Sequence, residues 1–129
     1  MRKRLGVLAI ALGFGGAVAV APTASAEPSP PDCPSGYFCA WSGPNQTGQL
    51  VVKTAGDWTG TELIQSIFNN GYPYPGADHV DVTINYNGYR DTFCVHHNPG
   101  PGQYKGNHAF YTAIIAVKWR GECPYLRKQ

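Results

Sequence analysis

The chain has 129 residues, of which 43% are hydrophobic and 14% are charged, and its formal net charge is +2. Three of its ten basic side chains lie among the first four residues, so the remainder carries seven basic against eight acidic side chains. This near-neutral remainder excludes partners held mainly by charge, such as nucleic acid or an anionic membrane surface. The length suits a single domain with a modest hydrophobic core.

Residues 1–26 have the layout of a secretory signal peptide. A basic start precedes an apolar run from Leu5 to Ala21, and Ala24-Ser25-Ala26 matches the small-x-small cleavage pattern. The alternative is an uncleaved membrane anchor, but the run is shorter than the roughly 20 residues that span a bilayer, and glycines weaken it as a helix. We therefore expect cleavage after Ala26. That cleavage removes 26 of the 129 residues and leaves 103 in a secreted, extracellular protein without a membrane contact.

After the cleavage site, residues 27–32 are a short, mobile, proline-rich spacer, and the folded domain is predicted over residues 33–129. Four cysteines in an exported chain predict two disulfides, for which three pairings are possible. A four-cysteine zinc site would need C-x₂-C spacing, which the sequence lacks. The pairing we favour is Cys33–Cys39 and Cys94–Cys123.

From the first cysteine onward, short runs of Val, Ile, Thr and aromatic residues are broken by Gly, Pro and Asn, which is typical of an all-β domain. The first two strands are predicted at Tyr37–Trp41 and Gln49–Lys53. In Thr61–Phe68 the apolar residues fall at helix-like offsets, so a turn or a one-turn helix is predicted there. Tyr72–Gly76 then forms a loop braced by prolines.

The clearest local prediction is a β-hairpin centred on Asn87-Gly88, which is the favoured two-residue type I′ turn. Apolar and polar residues alternate on both sides of this turn, as expected for strands with one buried face. The turn also determines which residues face each other across the two strands. The predicted cross-strand pairs are Tyr86 with Tyr89, Val82 with Phe93, and Val80 with Val95.

The last strand is predicted at Phe110–Trp119, with Ile115, Val117 and Trp119 on one face. The chain also contains a weak internal repeat, which suggests two related Greek-key units packed face to face around one core. The repeated segments are Phe38–Trp41 with Phe93–His96, and Ser66–Phe68 with Ala113–Ile115.

Several short motifs follow one another in an order that resembles a known family. They are Cys33-Pro-Ser-Gly-Tyr-Phe-Cys39, Trp41, Asn45-x-x-Gly48, Ser66-Ile67-x-Asn69-x-Gly71, Phe93-Cys94-Val95 and Ala116-Val117-x-Trp119. Together they resemble the secreted actinobacterial peptidase inhibitors typified by the Streptomyces metalloproteinase inhibitor. The resemblance implies a β/γ-crystallin-like Greek-key sandwich of two related motifs, stapled by disulfides. It also implies an inhibitor of an extracellular protease, with metalloproteases as the target class.

The resemblance further implies where the inhibitor would contact its target. In the family inhibitor the reactive bond lies at a disulfide-braced Cys-Val step, and this step corresponds to Cys94-Val95, followed by His96 and His97. The family inhibitor has a second cysteine a few residues on, which this chain lacks, so the loop here is less constrained. The second loop candidate contains Trp41, Asn45 and Gly48.

Other functions are less well supported by the residues. No serine lies in a nucleophile elbow and the cysteines are better used as disulfides, so the chain is not predicted to be an enzyme, and no cofactor is expected. Thr61–Ser66 is the nearest segment to a crystallin-type calcium motif, but it offers too few oxygen ligands. The expected protein is a monomer.

Two groups of side chains leave alternatives open. His79 would stand opposite His96 in the predicted hairpin, where a third ligand could complete a metal site, but we favour two exposed strand-end histidines and no metal. An aromatic platform would make the protein a cell-envelope or carbohydrate-binding domain, although ordinary packing is the favoured interpretation. The tyrosines concerned are Tyr72, Tyr74, Tyr86, Tyr89 and Tyr104.

Overall fold

A computed structural model describes residues 25–124 together with Gly13, Gly15 and Gly16. The predicted signal peptide therefore lies almost entirely outside the described residues, as does the end of the predicted domain after residue 124. The part of the chain that is described contains no helix, and hence none that is long and apolar enough to cross a membrane. Its six strands are β1 (Tyr37–Trp41), β2 (Leu50–Thr54), β3 (Trp58–Asn70), β4 (His79–Tyr86), β5 (Tyr89–Val95) and β6 (Lys105–Arg120).

These strands form one antiparallel sheet with the order β2-β1-β3-β6-β4-β5. Each half of the sheet has the same arrangement, because β1 lies between β2 and β3 just as β4 lies between β5 and β6. The long strands β3 and β6 pair with each other and join the two halves. The internal repeat was therefore matched correctly at β3 and β6, but the counterpart of β1 is β4 and not β5.

One buried apolar cluster receives residues from all six strands. Residues of β1 and β4 can reach the same cluster only if the sheet curls around it, because β3 and β6 lie between these strands. Removal of this apolar surface from water is the main favourable contribution to folding. The cluster contains Phe38, Ala40, Val52, Ile64, Ile67, Val80, Val82, Val95, Ile114 and Val117.

The predicted turn or helix at Thr61–Phe68 is wrong, since these residues lie within the 13-residue strand β3. A register shift between Ile64 and Ser66 explains the misleading pattern. Between these partners β3 has one residue and β6 has four, so the ladder and its alternation of faces are interrupted here. Ile64 and Ile67 consequently both face the core at an odd spacing that imitates a helix, whereas Leu63 is 56% exposed.

The final strand is longer than predicted and carries a similar irregularity. Its register against β4 shifts between Thr83 and Ile84, so that Ile115 has no direct partner in β4. Ile114 and Val117 face the core as a result, so the predicted placement of Ile115 on the same face as Val117 is wrong. The predicted hairpin is confirmed, because all three cross-strand pairs are present and Asn87 and Gly88 both have positive φ.

Both favoured disulfides are confirmed: Cys33 is bonded to Cys39 and Cys94 is bonded to Cys123. The first disulfide packs with Trp41 and Phe68 in a second apolar cluster. Cys39 and Trp41 point away from the main core because side chains alternate along β1. This strand is therefore buried on both faces.

The predicted spacer is anchored to the domain through its first residue, Glu27. The backbone N–H of Glu27 donates a 3.0 Å hydrogen bond to Asn98 Oδ1, and its carbonyl accepts one from Asn98 Nδ2. Its carboxylate binds Lys105 Nζ and the hydroxyl of Tyr104. Burial by itself raises the pKa of the Glu27 carboxyl, but the bonds from Lys105 and Tyr104 outweigh it and lower that pKa.

Candidate functional site

The second predicted loop is an exposed turn between β1 and β2, spanning Ser42–Gly48. Asn45 and Gly48 lie in this loop and are exposed, as an interaction site requires. Trp41 does not contribute to the loop surface, because it ends β1 and is 1% exposed. Two of the three predicted residues are therefore exposed, whereas Trp41 belongs to the second apolar cluster.

The Ser42–Gly48 loop is held by a dense set of hydrogen bonds. Asn45 and Asn107 form a reciprocal pair, with the Asn45 backbone N–H donating to Asn107 Oδ1 at 2.8 Å and Asn107 Nδ2 donating to Asn45 Oδ1 at 2.8 Å. The backbone N–H of Gln46 donates to Ser66 Oγ at 2.9 Å, and that hydroxyl donates to the carbonyl of Gly43. Bonds to β3 and β6 thus keep an exposed loop in one conformation.

A second exposed feature adjoins this loop at a large bulge in β6. Ile64 pairs with Thr112 and Ser66 pairs with Asn107, so the single residue between the β3 partners faces four residues of β6, 108–111. The hydroxyl of Thr112 donates a 2.7 Å bond to the carbonyl of Ala109 and closes the bulge. Four residues cannot follow the ladder opposite one, so the segment projects from the sheet.

The bulge carries two aromatic side chains that project into solvent. Phe110 is 63% exposed and Tyr111 is 70% exposed, and their rings meet edge to face with centroids 4.9 Å apart. Tyr111 has φ of +65°, a left-handed conformation that is unfavourable for a bulky side chain. Large exposed aromatics on a strained, closed segment are typical of interaction sites. We call Ser42–Gly48 and residues 108–111 together the docking surface.

The first predicted loop, Cys94–His97, differs from the expected exposed loop. Cys94 and Val95 are the last residues of β5, and Val95 is 3% exposed within the main core. His96 is 9% exposed, and its backbone N–H donates to the carbonyl of Gln103. Val95 cannot enter a protease subsite in this conformation. Its burial follows from the register that pairs it with Val80, which the hairpin prediction already contained.

The histidines of this segment meet a third histidine in the interior. His79 is fully buried and its Nε2 lies 2.7 Å from His96 Nδ1, so these are not the exposed strand-end histidines that the sequence favoured. The ring of His97 stacks edge to face on that of His79. Burial, together with the nearby His79, lowers the pKa of His96. The predicted opposition of His79 and His96 is confirmed.

The five tyrosines lie in separate places. Tyr72 and Tyr74 line a hollow of about 250 Å³ together with Trp119. Tyr104 packs edge to face on Phe68 and binds Glu27, so it serves the domain interior. The remaining two, Tyr86 and Tyr89, flank the hairpin turn. A sugar-binding platform needs aromatic rings that lie side by side on one surface, and these five tyrosines do not share one surface.

Sequence reasoning missed a groove of about 710 Å³ beside β5, an outermost strand of the sheet. Its volume is in the range of small-ligand sites. Apolar walls from Ile84 and Phe93 face Asp81, Arg120 and His108. No local motif marks this groove, because its walls come from strands that are distant in sequence.

His108, beside this groove, makes a pH-dependent contribution to stability. Burial lowers the pKa of His108, and its Nε2 atom has no hydrogen-bond partner. His108 therefore binds a proton more readily in the unfolded chain than in the folded one. The stability associated with the neutral, buried imidazole is present above the ordinary histidine pKa of about 6.5 and is lost as the pH falls. We expect His108→Phe to reduce the loss of unfolding free energy between about pH 7.5 and pH 5, measured by urea denaturation. An unchanged loss in this variant would contradict the assignment.

The described residues form a small all-β domain with two disulfides and a rigid, exposed loop. This architecture is typical of a binding domain. The chain belongs to peptidase inhibitor family I36, whose family model matches residues 26–99. No curated protein and no solved structure matches the chain. A peptidase inhibitor family is not a family of enzymes, so membership supports a protease inhibitor role for the chain and implies a protease as its partner. The matched region includes the Ser42–Gly48 loop and ends before β6.

Proposed function

We propose that the chain is a secreted, monomeric inhibitor of an extracellular metalloprotease, which it contacts through the docking surface. The proposal rests mainly on one observation, the hydrogen-bonded rigidity of the exposed Ser42–Gly48 loop in a member of a peptidase inhibitor family. A loop that is already ordered loses little conformational freedom on binding, so more of its contact energy appears as affinity.

The bulge supplies what the loop lacks, namely large apolar side chains. Gln46 of the loop is bonded to Ser66, and the bulge opens opposite the preceding residue of β3, so the two features are neighbours on the sheet. Phe110 and Tyr111 can fill subsites of a protease cleft, and buried aromatic anchors carry much of the energy of protein interfaces. Polar loop atoms would then bind the rim of the cleft.

The target class and the cellular location rest on the sequence. The Cys33–Cys39 clasp and the motifs after it resemble inhibitors of metalloproteases, and residues 1–26 resemble a signal peptide. A crystallin-like sandwich of two Greek-key units is also part of the proposal. Support for it comes from the common strand order of the two halves and from the core cluster to which all six strands contribute.

The inhibition assay uses the purified mature chain, starting at Glu27, against a thermolysin-like metalloprotease and a subtilisin-like serine protease. We expect inhibition of the metalloprotease at micromolar concentration or below, with the serine protease unaffected. The opposite preference would overturn the target class and leave the inhibitory role intact. Failure to inhibit either enzyme at micromolar concentration would overturn the proposed function.

The contact surface is tested by Phe110→Ala combined with Tyr111→Ala. We expect the inhibition constant to rise about 30-fold or more, because loss of a central aromatic anchor costs at least about 2 kcal/mol. The matched control is Tyr86→Ala with Tyr89→Ala, since these tyrosines are 40% and 71% exposed but lie at the hairpin turn. Equal losses in both double variants would argue against the docking surface.

A further inference from the structure

We propose that His79, His96 and His97 form a binding site for a divalent transition-metal ion such as Zn²⁺, with the carboxylate of Glu122 as a further ligand. One nitrogen of each imidazole lies within 4.8 Å of the other two. Glu122 and Asp78 form a second such group around His79. Imidazole nitrogens with one carboxylate are a common ligand set for zinc.

The distances are close to those that a tetrahedral ion requires. Ligand atoms about 2.0–2.1 Å from zinc stand about 3.3–3.4 Å apart in that geometry. His79 Nε2 and Glu122 Oε2 are already 3.4 Å apart. His79 Nε2 and His96 Nδ1 are 2.7 Å apart, so they form a hydrogen bond that the ion would replace. Small rotations of the two rings would open this separation to the required value.

Asp78 orients the central ligand. Its Oδ1 lies 2.5 Å from His79 Nδ1, and the Asp78 side chain is buried. When His79 Nδ1–H donates a hydrogen bond to Asp78, the Nε2 atom of His79 is unprotonated and its lone pair faces His96 and Glu122. Metal-ligating histidines are usually held in this way by a carboxylate on the other nitrogen. On metal binding, the proton on His96 Nδ1 would move to solvent or to Nε2 of the same ring.

His97 supplies an independent indication of a missing partner. Its Nδ1 atom is buried without a hydrogen-bond partner and lies 3.6 Å from Asp78 Oδ2. Buried polar atoms are nearly always hydrogen-bonded, so a nitrogen that has only this longer contact with Asp78 requires an explanation.

The backbone around the cluster is held from several sides. Asn69 Nδ2 donates to the carbonyls of Asp78 and Val95, which directly precede His79 and His96. The Cys94–Cys123 disulfide holds the segment that carries Glu122. Ligands on a supported backbone bind metal without a large ordering cost. Arg120, the ladder partner of His79, is engaged by Asp81 at 3.1 Å, which offsets its charge near the site.

The test is a Zn²⁺ titration of the tag-free mature protein after removal of metal by chelation, followed by calorimetry and thermal unfolding. We expect about one equivalent of Zn²⁺ to bind and the melting temperature to rise, because a ligand of the folded state stabilises it. Mg²⁺, which prefers oxygen ligands, should bind at least about tenfold more weakly. Absence of stoichiometric Zn²⁺ binding would overturn the proposal, whatever the inhibition assays show.

The variants are chosen at the ligands whose side chains are at least partly exposed to solvent. His97→Ala and Glu122→Gln alter partly exposed and exposed side chains, so both should fold, and each should weaken Zn²⁺ binding about tenfold or more. The control is His108→Gln, which removes the one histidine outside the cluster. Zn²⁺ affinity that is unchanged in His97→Ala, or lost in His108→Gln, would show that the ion binds elsewhere.

Discussion

Replacement of Trp41 by alanine is expected to lower the free energy of unfolding by about 3–5 kcal/mol, because it empties a large aromatic site in a packed core. Trp41 is 1% exposed and packs with Phe68 and the Cys33–Cys39 disulfide. Its indole Nε1 also donates a 2.8 Å hydrogen bond to Asp32 Oδ2. A domain of this size has a total stability of about 5–15 kcal/mol, so the variant would lose a large fraction of it. Urea denaturation followed by fluorescence or circular dichroism measures the change.

The companion variant Trp41→Phe separates the two contributions of the side chain. It retains most of the ring volume but removes the indole N–H, which leaves the Asp32 carboxylate without this donor. We expect a smaller loss than for alanine, and inhibition by the folded fraction should be unchanged. Normal stability with lost inhibition in Trp41→Ala would instead make Trp41 a direct protease contact and contradict its burial.

Removal of the Cys94–Cys123 disulfide is expected to lower the free energy of unfolding by about 3.6 kcal/mol in the chain-entropy description. The bond joins residues 29 positions apart and ties the end of β5, an outermost strand, to the segment after β6. Without it, the unfolded chain gains conformations while the edge of the sheet loses its covalent connection. The double variant Cys94→Ala, Cys123→Ala is compared with the parent by urea denaturation under non-reducing conditions.

The short disulfide provides the comparison for this variant. Cys33 and Cys39 are only six positions apart, so removal of their bond should cost about 2.4 kcal/mol in chain entropy. Both cysteines are fully buried, however, so the alanine pair also loses packing. Removal of the long disulfide should also lower Zn²⁺ affinity more than removal of the short disulfide, because the long disulfide holds the segment that carries Glu122. Equal and small stability losses in both double variants would contradict the chain-entropy account.

The two proposed sites depend on different parts of the fold and can be separated by experiment. The docking surface depends on the Asn45–Asn107 pair and the bulge in β6, whereas the histidine cluster lies at the start of β4 and the end of β5. Variants in one region should therefore leave the other measurement unchanged. This independence allows inhibition and metal binding to succeed or fail separately.

Local features of this protein were predictable from neighbouring residues. The Asn87-Gly88 turn and the alternation around it predicted the register of the hairpin and its three apolar cross-strand pairs, because a two-residue turn sets the register by itself. The first strand was predicted with its observed bounds, Tyr37–Trp41. Two disulfides followed from the cysteine count in a chain predicted to be exported, and the favoured pairing was correct.

Features that depend on distant partners were not predictable in this way. The bulge in β6 interrupts the alternation of faces, and the helix-like spacing of Ile64 and Ile67 arises where β3 pairs with this bulge. The burial of the histidine cluster, in which His97 joins His79 and His96, similarly depends on the curled sheet and not on the hairpin register alone. Turn and strand propensities act over a few residues, so the sequence by itself determined the first strand and the β4–β5 hairpin. Burial and exposure arise from contacts between remote segments, so the tertiary structure alone decided which side chains face a partner.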